Sequence, residues 1–594
     1  QMCIRDRYRS SRLKAYLYGR LVRHLSRNIK EYGRKTGKEI HFYVATHSLV
    51  NYAQWKIMSP ESRLLDVDEV DGFIAQVWTG TSGTGNVYEG HYKSRTFETA
   101  YLEYGIMQEL VKGTDKEVWF LQDPVEDNPE HGWEEYADKY KKTLTAALFW
   151  PDVDHYEVCP WPNRVFKGRY PRKVGLAEGM IPTEDMEGAK NIPDTYATFL
   201  AGMIQTLGDM TKEESETEKD AVGVFLADSC MYQRTYPDQV EHHGQKINLS
   251  GMEDWMNRLI FQKEEERQLL LSMEKMEYAY KECCAFPDWF GLTLPLLKYG
   301  LPIQPVYFDH MVRYEEYLRK YRYLILSYEF MKPESEEFHH KLVEWVKQGG
   351  TLFYIGKDFD PYNYLQEWWQ KFSCDTPAQH LFAEFGMDKE PANGCYRIGE
   401  GNVLVWNEVP ALLSVNEAIA DKYRNWIREG LKMGGYHWNM CNYLSVRRDP
   451  YIVIASMQES DTGSVYTKEG LFVDLYEDKY PVVERVLVEP GQEKLLFDLE
   501  KIKEDVRIIA TAARIENMAC ENGQLSIEAK AIDHIQVNMR IRLPGKPEDL
   551  CAHTESGKNM ELQSVWDEKS RTVLLSYRSN NEKVHITGKL KYES

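Results

Sequence analysis

The sequence predicts an α/β protein made of the C-terminal half of a (β/α)8 barrel, a doubly wound α/β domain and a C-terminal β-sandwich region. Three observations predict this. Apolar β-type runs alternate with helical periodicity at intervals of roughly 30–45 residues over residues 8–214. In the middle of the chain a helix ends at Gly349-Gly350 and leads at once into an apolar strand. Beyond residue 439 helical periodicity is nearly gone, and short β runs follow one another at turn spacing.

The first element is a long amphipathic helix over residues 9–36. Leu13, Tyr16, Leu17, Leu21, Leu25 and Ile29 recur at helical spacing among many Arg and Lys, and Gly37 supplies the stop. The apolar β runs are His41–Thr46, Gly72–Trp78, Glu117–Asp123 and His155–Trp161. Helices are predicted between and after them at Thr96–Val111, Trp133–Phe149 and Pro193–Met210. Four such units are half of an eight-stranded barrel and are counted here as strands 5–8, with the active site expected at their C-terminal ends. The first seven residues, Gln1–Arg7, resemble the translation of a sequencing adapter in a metagenomic gene call. They are read as an artefact outside the fold. The natural chain is then expected to continue upstream through the first half of the barrel, and any leader is lost with it.

A charged stretch at 212–220 marks a boundary. Residues 215–438 read as the second α/β domain, with strands at Ala221–Leu226, Pro305–Phe308, Tyr323–Leu326, Thr351–Ile355 and Asn402–Trp406. The helix Pro333–Lys347 has proline at its start and Glu334, Glu336 and Glu337 in its first turn, where the helix dipole favours them. Residues 439–594 carry β runs at Tyr451–Ser456, Gly470–Tyr476, Val482–Val488, Val506–Ala512, Leu525–Ala529, Val537–Leu543 and Thr572–Tyr577.

Composition narrows the function. The net charge of −20 argues against a nucleic-acid partner, which needs clustered Lys and Arg to neutralise phosphates. No run of about 18 apolar residues occurs, so no membrane-spanning helix is expected. Ten cysteines without a CxxC pair or framework spacing read as reduced thiols, which suits the cytoplasm, although the lost start leaves secretion open. The 15 Trp and 39 Tyr suit sugar-stacking clefts as well as cores.

Barrel, then a glutamine-amidotransferase-like α/β domain, then a β-sandwich resembles the layout of family 42 β-galactosidases and related clan A glycoside hydrolases. The resemblance covers nearly the whole chain and is architectural. It implies a bacterial glycosidase acting on an oligosaccharide, with homotrimers formed through the middle domain. It also implies an acid/base residue at the end of barrel strand 4, upstream of this sequence, and a nucleophile at the end of strand 7. Strand 7 here ends Gln122-Asp123-Pro124-Val125-Glu126. The clan usually places Glu at that strand end, and this chain has Asp123.

Glycoside hydrolysis needs two carboxyl groups flanking the scissile bond. The candidates are Asp123, Glu126 and Glu157. Asp123 either acts chemically or caps the turn before Pro124. Glu126 is a catalytic group or a solvated loop residue. Glu157 sits inside an apolar run, so it is catalytic, binds hydroxyls, or is paired with a buried Arg or His. Trp161 lies between two prolines and resembles the Trp that clan A enzymes place under the bound sugar; its alternative is rim packing. His47, Gln76, Trp78, Gln122 and Asn163 are strand-end candidates for substrate hydrogen bonds or stacking, as are Asn51, Tyr52 and Gln54 after the first strand.

Other chemistries fit poorly. Cys230 lacks the Gly-x-Cys-x-Gly elbow of a glutaminase. The neighbours His242-His243 and His339-His340 face different ways on a helix and make poor metal sites, so no metal or cofactor is expected. Thr79–Gly85 is glycine-rich but has no Lys-Ser/Thr and is no phosphate loop. Two rivals to hydrolysis stand: phosphorolysis on the same architecture, and a non-catalytic carbohydrate-binding protein. On the half-barrel reading the chain by itself is inactive and exposes the inner apolar face of an open barrel.

Overall fold

The computed structural model describes residues 4–55, 57–125, 131–174, 182–211, 222–233, 286–358, 361–365 and 367–591. The fold is mixed α/β with antiparallel, sandwich-like sheets toward the C-terminus. Through residue 209 the main elements run α1 (Ile4–Thr36), β1 (Tyr43–Thr46), α2 (Leu49–Trp55), β2 (Gly72–Ala75), the hairpin β3 (Gly85–Tyr88) and β4 (His91–Ser94), α3 (Thr96–Val111), β5 (Glu117–Gln122), α4 (Trp133–Leu148), β6 (Tyr156–Val158), the hairpin β7 (Arg169–Val174) and β8 (Pro182–Asn191), and α5 (Asp194–Asp209). They continue with β9 (Val222–Leu226), α6 (Pro287–Leu297), β10 (Ile303–Tyr307), β11 (Tyr323–Leu326), α7 (Glu337–Lys347), β12 (Thr351–Ile355), β13 (Gly394–Ile398), β14 (Gly401–Trp406) and α8 (Glu417–Met433).

The chain divides into two compact units. The first holds residues 1–77, 81–120 and 215–441, and the second holds 78–80, 121–214 and 442–594. Residues 8–214 contribute to both units.

In the first unit β1, β2 and β5 pair in parallel, with Ala45, Ile74 and Trp119 in register. Gly72 permits the close approach of β2 to β5, because a Cβ there would collide with the carbonyl of Glu117. A second sheet has the order β10-β9-β11-β12-β14-β13, parallel except for the antiparallel edge strand β13. Strands β9, β10, β11 and β12 are buried along their whole length, as continuous apolar runs covered on both faces require. Helix α3 is buried on nearly every side, and two of its three glutamates are paired with lysines there. Glu98 meets Lys298 at 2.5 Å, and Glu109 meets Lys320 at 2.9 Å.

Helix α1 differs from expectation. Its apolar face, Leu13, Tyr16, Leu17, Leu21, Leu25 and Ile29, is exposed. The buried face is Tyr8, Ser11, Ala15, Gly19, Ser26 and Gly33. Small side chains let the helix backbone approach its neighbours closely, and Tyr8 packs edge-on against Tyr232 at 5.6 Å. Four ion pairs fix this face: Arg9–Glu367, Arg12–Glu334, Arg27–Glu69 and Lys30–Asp71.

The second unit contains the last residues of β5, then α4, β6 and α5, and the antiparallel sheets. One sheet has the order β15 (Tyr443–Arg448), β16 (Tyr451–Ser456), β19 (Glu493–Asp498), β17 (Tyr466–Asp474), β18 (Val482–Val488). Two more sheets stack over residues 507–591, burying Leu525, Ile527, Val537, Met539, Ile541, Val573, Leu575 and Ile586. Ala197 and Ala201 of α5 join that core. Arg448 of β15 is buried and braces the segment around β6, donating to Tyr156 Oη at 2.9 Å and the Val153 carbonyl at 3.0 Å.

Candidate active site

The predicted residues fall in both units. In the first unit they cluster where β1 and β2 end. The Gln76 amide donates to the Thr46 carbonyl at 2.7 Å, and β2 stops there rather than running to Trp78. His47 Nδ1 lies 3.1 Å from the Gln76 carbonyl, and the ring packs edge-on against Trp55 at 4.8 Å and Tyr52 at 5.9 Å. A carbonyl only accepts, so Nδ1 carries the proton and Nε2 keeps its lone pair. Burial lowers the imidazole pKa, and the carbonyl bond offsets part of that shift. His47 is therefore a neutral imidazole with an acceptor nitrogen. The Gln76 side chain is half-buried and bonds to no described residue.

The residues after β1 are supports. Tyr52 Oη bonds Thr46 Oγ1 at 2.8 Å and accepts the His47 amide at 3.0 Å. Glu61 accepts from Thr46 and Ser59, and burial raises its carboxyl pKa. Asn51 is fully buried; its Oδ1 accepts from Ser48 Oγ at 2.9 Å, and its amide donates to Glu103 of α3. Burial pushes the Glu103 carboxyl up to about 8, with the Asn51 bond opposing. Its Oε2 and both side-chain polar atoms of Gln54 have no hydrogen-bond partner among the described residues. Glu61 and Glu103 were not singled out in the sequence. Glu103 lies in the predicted helix Thr96–Val111 and Glu61 outside every predicted element, and only tertiary contacts bury them.

The second unit brings together the ends of β5 and β6. Gln122 is fully buried, and its carbonyl accepts the Cys159 amide at 3.1 Å. Asp123 is also buried; its Oδ1 accepts the Val125 amide at 3.2 Å, and its carbonyl accepts Thr79 Oγ1 at 3.5 Å. This is the turn-capping geometry, and Tyr196 Oη holds the turn by donating to the Pro124 carbonyl at 2.9 Å. Trp78 lies against Gly80, where any Cβ would press into the indole. Glu126 lies outside the described residues.

Strand β6 spans Tyr156–Val158 and is shorter than the predicted His155–Trp161. Cys159 takes a left-handed backbone conformation at φ +52°, which breaks the strand before Pro160. Burial, then the nearby Asp123 carboxylate, pushes the Cys159 thiol up to about 12, so it is no nucleophile at neutral pH. Glu157 is half-buried, burial raises its carboxyl pKa, and it makes no ion pair with a described residue. A structural pair with Arg or His is thus not seen among the described residues. Trp161 is 62% exposed, set between Pro160 and Pro162, and the short helix Pro162–Phe166 begins directly after it. Asn163 is exposed, and its carbonyl accepts the Lys167 amide at 3.1 Å. Among the described residues no group of three His, Cys, Asp or Glu side chains is placed to hold a metal ion. No helix of the described residues is long and apolar enough to cross a membrane.

No known protein family matches the chain, and no curated protein does. Among solved structures it is similar to a GH42 β-galactosidase from G. stearothermophilus at 10% identity and a TM-score of 0.39, over 77% of this chain and 63% of that one. The β-galactosidase from Bacillus circulans sp. alkalophilus gives the same identity, TM-score and coverage. An exo-carrageenase GH42 from Bacteroides ovatus follows at 9% identity and a TM-score of 0.34, over 76% of this chain and 51% of that one. The chain thus spans less than two thirds of the length of these glycoside hydrolases.

Proposed function

We propose that this chain carries part of the catalytic region of a glycoside hydrolase that cleaves an oligosaccharide with a pair of carboxyl groups. One observation carries the reading. Glu157 is a half-buried carboxyl with a raised pKa and no ion-pair partner among the described residues, four positions before an exposed, proline-framed Trp161. A carboxyl with a raised pKa, close in sequence to an exposed aromatic platform, suits a general acid for a bound sugar.

In this assignment the Glu157 proton passes to the leaving glycosidic oxygen as the anomeric C–O bond breaks. A second carboxylate stabilises the positive charge on the anomeric carbon, and water completes the cleavage. Asp123 caps the turn, so we assign it to shaping the strand end, and Glu126, which lies outside the described residues, is the remaining candidate for the second group. Trp161 stacks on the sugar. Trp78, Gln122 and Asn163 remain assigned to substrate contacts or their support.

The test is turnover of nitrophenyl α- and β-glycosides by the protein expressed from its whole gene, with and without phosphate. Release without phosphate supports hydrolysis. Strict phosphate dependence replaces it with phosphorolysis, and binding without turnover on any glycoside replaces it with a carbohydrate-binding role.

A further inference from the structure

Helix α1 turns its apolar side outward. Leu13 is 54% exposed, Leu17 48%, Leu21 55% and Leu25 46%, and Tyr16, Tyr18 and Tyr32 flank them. These leucines sit at i, i+4 spacing and form one continuous ridge, which Ile29 extends. No described residue covers it. Folding leaves such a ridge exposed only at a loss of hydrophobic stabilisation, and contiguous apolar patches on a soluble surface mark contact sites.

We infer that this ridge seats an amphipathic polypeptide helix whose own apolar ridge is rimmed with carboxylates. Charge selects that occupant. Helix α1 carries eleven Lys and Arg against two acidic residues, in a chain of net charge −20. Arg9, Arg12, Arg27 and Lys30 are already paired with carboxylates of their own unit. Lys14, Arg20 and Arg23 are exposed beside the ridge and make no ion pair with a described residue. An incoming helix with Glu or Asp along its rim supplies their counter-charges at a desolvated edge. A second copy of α1 brings like charge to like.

Shape favours a helix over a lipid surface. An i, i+4 ridge winds around its helix, turning by about 160° over the sixteen residues from Leu13 to Ile29. A bilayer takes up a broad apolar face parallel to the axis. A crossing helix instead follows the inclined i±4 ridge into its grooves. The four paired cations are also held away from lipid phosphates.

The inference does not depend on glycosidase activity and is tested by binding. The probe is a synthetic helical peptide of about 24 residues, long enough to match the ridge, with an i, i+4 leucine ridge and Glu flanks. It is labelled and titrated by fluorescence anisotropy. Saturable binding is expected, weakened at least about tenfold by Leu17→Glu/Leu21→Glu and by replacing the peptide's Glu with Lys. Both leucines are exposed, and thermal melting of the double variant checks that it is folded. The Arg20→Glu/Arg23→Glu variant should reverse the preference between the two peptides. No binding, or equal binding of both peptides, overturns the inference. Cosedimentation with phosphatidylglycerol vesicles that is lost in the leucine variant overturns it in favour of a lipid surface. A concentration-dependent dimer lost in that variant overturns it in favour of a second copy.

Discussion

His47 Nδ1 sits 3.1 Å from the backbone carbonyl of Gln76, so one imidazole ties together two consecutive strand ends. That bond fixes the tautomer, and burial disfavours the charged ring. An NMR titration of the His47 ring should therefore give a pKa below the usual 6.5. The sign for stability follows. The unfolded state binds the proton first, so stability is retained above the unfolded-state pKa and falls as pH drops through it. His47→Ala should weaken that acid-side loss. A titration at or above 6.5 contradicts the buried neutral tautomer.

Glu103 predicts the opposite slope. Its folded-state pKa is about 8, against 4.5 for the free side chain. Between those values the folded state keeps a proton that the unfolded state has lost. Stability is full below the lower value and declines as pH rises toward the upper one, by on the order of 1 kcal/mol per pH unit. Glu103→Gln should flatten that decline and melt higher than wild type above pH about 8. Glu103→Ala should cost about 1–3 kcal/mol, because the Asn51 amide is left buried without its acceptor. A pH-independent difference between Glu103→Gln and wild type would sink this account.

Asp123 separates a structural from a chemical role. Its Oδ1 caps the buried Val125 amide, and Asn keeps that oxygen while losing the charge. Asp123→Asn should stay within about 0.5 kcal/mol of wild type, whereas Asp123→Ala should lose about 1–2 kcal/mol in denaturant unfolding. If turnover survives in Asp123→Asn, the residue shapes the turn; a loss of about a hundredfold or more with stability kept assigns it to the chemistry.

Much of the fold was readable because local signals agreed with one another. Gly349-Gly350 after a helical run placed α7 and β12, and the all-apolar run Tyr323–Leu326 needed burial on both faces. Edge elements escaped. Gly394–Ile398 alternates between exposed and half-buried positions, so β13 carries no apolar run to announce it. The periodicity of α1 marked a helix but not which side is buried, since Ala15, Gly19 and Gly33 act through close approach rather than hydrophobicity. At the candidate site, Asp123 was legible as a strand-end carboxyl and Glu157 as a carboxyl inside an apolar run. What distinguishes them was not: one carboxyl accepts from a backbone amide two residues away, and the other makes no ion pair with a described residue. The buried Glu103 was invisible for the same reason, because its burial comes from residues distant in sequence.

The most direct test is the turnover of Glu157→Gln, made in the protein expressed from its whole gene and assayed across pH on an unactivated glycoside, whose leaving group needs the proton. The account predicts a folded protein with thermal stability near wild type, because Glu157 makes no ion pair with a described residue. It also predicts turnover reduced by about 10²–10⁴-fold, together with loss of the alkaline limb that reports a proton donor. Unchanged turnover with an unchanged pH profile would contradict the assignment of Glu157 as the acid and, with it, the proposed site.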